Sequence, residues 1–142
     1  MMQSNVERVY GMALTLDDLS RHLDDIYVAG EDLSSSQYCI VIFKTHVGHV
    51  GLPIAPGEAS AGVLQNNPKR NGRAVVRLHG KSRIKLASMV AMGDPLSIAN
   101  ISGKAGQQDG NSICIGVARQ AGNAGEEIDC NVVMHGKEEK HA

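Results

Sequence analysis

The sequence predicts a mainly β fold: a small β-barrel or β-sandwich of about six to eight short strands, with an N-terminal helical arm. Three observations carry this expectation. From Gln37 onward, short β-branched runs recur between Gly- and Pro-rich turns. Two stretches, "RAVVRLHG" and "EIDCNVVMH", alternate side chain by side chain with the period of a half-buried strand. One segment, "LTLDDLSRHLDDIY", carries an apolar stripe at 3-4-3 spacing instead, formed by Leu16, Leu19, Leu23 and Ile26.

That stripe places a short amphipathic helix over residues 13–27, with Thr15 positioned to cap it and Asp17 and Asp18 in its first turn. Two turns are too short to stand alone in water. The stripe therefore implies docking on the barrel or on a neighbouring subunit, with Leu16, Leu19, Leu23 and Ile26 as the contact residues. Residues 1–31 form an acidic arm on this reading, residues 32–135 the β-rich domain, and residues 136–142 a polar tail.

The strands follow in order. "QYCIVIFK" is continuously apolar, as in a strand covered on both faces. "THVGHVGLPIAPG" breaks at Gly and Pro around a short strand near His49–Leu52, and "AGVLQN" makes another. In "RAVVRLHG", Ala74, Val76 and Leu78 point inward; in "KSRIKLAS", Ile84 and Leu86 do. Gly80 sits between them and predicts a hairpin turn. "PLSIANI", "SICIGVAR" and "EIDCNVVMH" complete the set, with "SGKAGQQDGN" and "QAGNAGE" as loops.

Composition sets bounds on the core and its partners. The chain has 142 residues, enough for one domain, and only 3% aromatics with no Trp. Its core must rest on Val, Ile, Leu, Ala and Met, and burial against other subunits would help so thin a core. The net charge is −1, but its distribution is uneven. Acids dominate residues 1–35, whereas residues 69–85 hold Lys69, Arg70, Arg73, Arg77, Lys81, Arg83 and Lys85 with no acid. Folded as a hairpin, these cations form one basic surface, which is either the solvated face of a half-buried sheet or a docking surface for an acidic partner. Nucleic acid is the alternative partner, disfavoured because base stacking needs aromatics and this segment has none. The start, "MMQSNVERVYG", lacks the apolar core of a secretory leader, and no apolar run approaches the roughly twenty residues that span a bilayer. A soluble protein made in the cytosol, with no membrane partner, is expected.

No constellation of residues demands catalysis. "HGKS" at 79–82 ends like a phosphate-binding loop, but Val75 occupies the position of its first glycine and an alternating strand follows. His46 and His49 flank a glycine with no third ligand nearby. The three cysteines, Cys39, Cys114 and Cys130, lie in apolar runs without metal-site spacing. The expectation is a non-enzymatic protein with no catalytic, cofactor or metal site.

"DLSSSQYCIVIF", "AGVLQNNPKRNGRAVVRLHGKSRIKLASMVAMGDPL" and "GVARQAGNAGEEIDCNVV" together resemble the capsid cement, or head decoration, proteins of tailed bacteriophages. The Leu64-Gln65-Asn66-x-Pro68 core and the Gly93-Asp94 pair carry the resemblance, which spans about Asp32 to Met134. It implies a barrel-like structural protein, a homotrimer on the outside of the virion that bridges neighbouring major capsid protein subunits. The arm has no counterpart in the compact form of that family.

Overall fold

A computed structural model describes residues 22–133, and in that span every regular element is a strand. In chain order they are β1 (Leu23–Ala29), β2 (Ile40–Phe43), β3 (His49–Gly51), β4 (Gly62–Leu64), β5 (Arg73–Lys85), β6 (Pro95–Ile98), β7 (Ala105–Gln107), β8 (Gly116–Ala118) and β9 (Glu127–Val132).

The order β1-β3-β2-β4-β5, with β5 pairing back onto β1, closes a five-stranded barrel. Only β1–β3 within it is parallel. The far half of β5 leaves the barrel and heads a second antiparallel layer, β5-β9-β8-β6-β7. A lone parallel bridge, Leu86 to Ala105, brings the edge strand β7 back beside the end of β5.

Two cores result, and the period-2 pleat sorts residues between them. Ala29, Val41, Val50, Leu64, Ala74 and Val76 fill the barrel. Ile84, Leu86, Leu96, Ile98, Ile128 and Cys130 belong to the second core. Ile40, Ile42 and Val63 point out of the barrel into that second core, whereas their chain neighbours Val41 and Leu64 point in. The unbroken apolar runs of β2 and β4 thus reflect burial on both faces. No ring is among the largest fully buried side chains, which are Leu, Ile and Val.

Three expectations are corrected. Leu23 and Ile26 lie on β1, a strand, and not on a helix. Residues Ile26, Tyr27 and Val28 favour a pleat, and closing the barrel against Val75, Ala74 and Arg73 supplies a full ladder that a two-turn helix cannot match. The β domain accordingly includes residues 23–31, while Leu16 and Leu19 fall outside the described residues, as do Met134 and the tail. Next, the expected hairpin at Gly80 is one continuous strand of 13 residues. Gly80 adopts φ of 108° yet stays in register opposite Val132, so its freedom is spent on a twist between two layers instead of a turn. Finally, the loop "SGKAGQQDGN" contains β7, which with β1 raises the strand count to nine.

Candidate binding surface

The basic segment is where the sequence concentrates chemistry, and β5 determines what each cation can do. Arg73, Arg77, Lys81, Arg83 and Lys85 are all odd-numbered on one strand. They share the side opposite the buried Ala74, Val76, Ser82 and Ile84. One face therefore gathers them, although no hairpin does.

Two of the five are committed to holding the strand's neighbours. Arg77 grips Asp24 on β1, with Nε 2.8 Å from Oδ1 and Nη2 3.1 Å from Oδ2, and its Nη1 donates to the Lys81 carbonyl at 2.7 Å. Arg83 does the same for β9: Nη1 donates to Asp129 at 2.9 Å and Nη2 to the Glu127 carbonyl at 3.2 Å. The carboxylate partner raises the Arg83 pKa above its ordinary value, chiefly through that hydrogen bond. Lys85 donates to the Ser35 carbonyl at 3.3 Å. Lys69, Arg70, Arg73 and Lys81 remain exposed.

This face borders a cavity of about 400 Å³, lined among others by Tyr38, Arg77, Lys81, Arg83, Arg119 and Asp129. Arg119, just past β8, was not singled out in the sequence. Only the β8–β9 pairing carries it across to Arg83, with its amide donating to the Asp129 carbonyl at 2.8 Å. Tyr38 adopts φ of 68°, an uncommon conformation for a residue with a Cβ. Its amide donates to the Leu64 carbonyl at 2.7 Å, and its carbonyl accepts from Lys85 at 3.0 Å.

Cys130 also borders the cavity but is buried, and desolvation pushes its thiol up to about 12. Burial likewise raises the Cys39 thiol. Neither is poised as a nucleophile. His46 in the β2–β3 turn and His49 at the start of β3 have ring centroids 5.4 Å apart. Among the described residues, no three His, Cys, Asp or Glu side chains converge as a metal site.

The Leu-Gln-Asn-x-Pro stretch is a built connector. Asn66 donates through its amide nitrogen to the Arg73 carbonyl at 2.9 Å and accepts from the Val75 amide at 3.1 Å, acting as one more rung beside β5. Asn67 Oδ1 accepts from the Gln37 amide at 2.8 Å, and the carbonyl of buried Pro68 accepts from Leu33 at 2.9 Å. Asn71, at φ of 68°, donates to Ala29, and Gly72 donates to Lys69, both at 2.8 Å. These loop amides are spent on the fold. Gly80-Lys81-Ser82 lies inside β5, so no phosphate loop forms there.

Such a fold has a solved counterpart. The chain is similar in structure to the head fiber gp8.5 N base of bacteriophage phi29, with a TM-score of 0.61, at 14% identity, over 79% of this chain and 94% of that one. At that identity the likeness is one of fold. No family model matches the sequence, and no curated protein sequence matches it.

Proposed function

We propose that this chain is a structural protein of a phage virion. It binds the outer surface of the capsid as a homotrimer and cements neighbouring major capsid protein subunits, without catalysis. The observation that carries this reading is the structural likeness to a phage head fiber base across nearly the whole of that chain. It agrees with the cement-protein resemblance of residues 32–134, which was drawn from different evidence.

The geometry suits the role. A closed barrel leaves no free edge in the first layer to recruit stray strands, and ion pairs tie β1 and β9 to the shared strand β5. Lys69, Arg70 and Arg73 face solvent at one end of β5, a cationic patch for an acidic shell surface. Charge of this kind fixes register and encounter more than affinity. Exposed Val47, Met89, Met92 and Ile101 on connecting loops supply apolar contacts.

The test is reconstitution. Purified protein mixed with undecorated heads and imaged by electron cryomicroscopy adds density at three-fold or local three-fold positions. Heads that look the same with and without the protein overturn the proposal.

A further inference from the structure

We infer that the cavity bordering β5 is a binding site for a phosphate dianion, held by Lys81 and Arg119. Four cations line this space, but they are not equivalent. Arg77 is balanced by Asp24, and Arg83 by Asp129 at 2.9 Å, with Glu127 a further 3.8 Å contact. Lys81 and Arg119 line the cavity and are exposed, and among the described residues neither makes an ion pair.

The acceptors around them are already engaged or opposed. Asp129 accepts from Arg83, and the Ser82 hydroxyl is occupied, donating to the Arg83 carbonyl at 2.7 Å and accepting from Gln65 at 2.9 Å. What the site offers is donors: the three N–H bonds of an ammonium, the fork of a guanidinium, and the hydroxyl of Tyr38. A group with several acceptor oxygens and two negative charges matches that set, and phosphate is such a group. Asp129 is paired with Arg83, and the two cations without an ion pair attract a dianion more strongly than a monoanion.

The space fits as well. About 400 Å³ is at the lower end of small-ligand pockets. It admits a phosphate with part of the molecule bearing it, and it does not admit a duplex. The Tyr38 backbone, held at φ of 68° between Leu64 and Lys85, is a second, independent mark. Strain of this type persists where surrounding structure enforces it, and here it sits on the cavity wall.

The inference rests on the cavity alone, so it stands or falls apart from the virion reading. Calorimetric titration of the full chain in low-salt buffer uses inorganic phosphate, methyl phosphate, acetate at matched ionic strength, and a single-stranded oligonucleotide without terminal phosphate. Inorganic phosphate and methyl phosphate bind, and acetate does not. Lys81→Met and Arg119→Met each weaken binding about tenfold, while Lys81→Arg keeps it. Both side chains are exposed, so unchanged thermal midpoints certify the variants. Equal phosphate binding by the wild type and the double variant overturns the site, as does acetate matching phosphate, or binding confined to the oligonucleotide.

Discussion

Arg77 on β5 and Asp24 on β1 form a two-pronged ion pair, with Nε–Oδ1 at 2.8 Å and Nη2–Oδ2 at 3.1 Å. The Arg77 side chain is 15% exposed and that of Asp24 25%, so solvent screens the pair only partly. It locks the strand pairing that closes the barrel, since Asp24 stands opposite Arg77 in the ladder. Asp24→Asn removes the charge and leaves the guanidinium half-buried without a counter-ion. Urea unfolding will show a loss of about 1–2 kcal/mol. A loss below about 0.5 kcal/mol would class the pair with ordinary surface salt bridges.

Gly80 carries a different burden. Its φ of 108° lies where side chains are rarely found, at the point where β5 passes from one layer to the next. Gly80→Val should destabilise by about 1–3 kcal/mol through backbone strain. A turn would tolerate added residues beside this position, but a strand in continuous register with β9 will not. An insertion of one residue after Gly80 shifts Lys81–Lys85 to the opposite face and should abolish folding, read as loss of a cooperative thermal transition.

Much of this architecture was legible from the sequence, and the exceptions share a cause. Val41 and Ile42 showed a strand covered on both faces because two cores demand apolar residues at consecutive positions. Ile128, Cys130 and Val132 alternated because β9 has one wet face. Gly80 misled because a glycine signals freedom at φ without saying whether it is spent on a turn or a twist. Leu23 and Ile26 misled because 3-4-3 spacing ignores the partner strand, and only the fold supplies Val75 and Ala74. β7 was invisible: Ala105 and Gly106 have no side-chain signal, although Gly106 is buried where a Cβ would come within 2.7 Å of Ser88 Oγ and 3.0 Å of Ala99 Cβ. At the candidate site, the cations of β5 could be named in advance. Arg119 could not, because its place beside Arg83 depends on β8 and β9 pairing.

The cysteines separate by burial. Cys39 and Cys130 are buried with raised thiol pKa values, that of Cys130 to about 12, whereas Cys114 is only half-buried. At pH 8 roughly one Cys130 in ten thousand is a thiolate. Iodoacetamide should therefore label Cys114 alone in the native protein, and all three in urea, as read by mass spectrometry. The linkage has a definite sign. The folded thiol of Cys130 keeps its proton to about 12, while an unperturbed thiol releases it near 9.0. Its contribution is intact below the unfolded value and is lost as pH rises between the two. Cys130→Ala should flatten the fall of stability across that window, even though the variant starts from a lower value.

The Leu64–Gly72 connector divides into a structural half and an exposed half, and the two can be tested apart. Asn66 pairs with the backbone of Arg73 and Val75, and both of those groups would lose their partner in Asn66→Ala. That substitution should cost about 1–3 kcal/mol and lower the thermal midpoint. Lys69 and Arg70, by contrast, are exposed at the tip, and none of the side-chain hydrogen bonds or ion pairs among the described residues involves them. Reversing both, Lys69→Glu with Arg70→Glu, should leave the midpoint within about a degree or two, as for surface substitutions generally. On the proposed function the double reversal should nonetheless weaken binding to undecorated heads, because like charges would then face the acidic shell surface that reading requires. Unchanged head binding would remove the loop tip from the contact, and the basic surface would then have to act through Arg73 and the residues beyond it on β5.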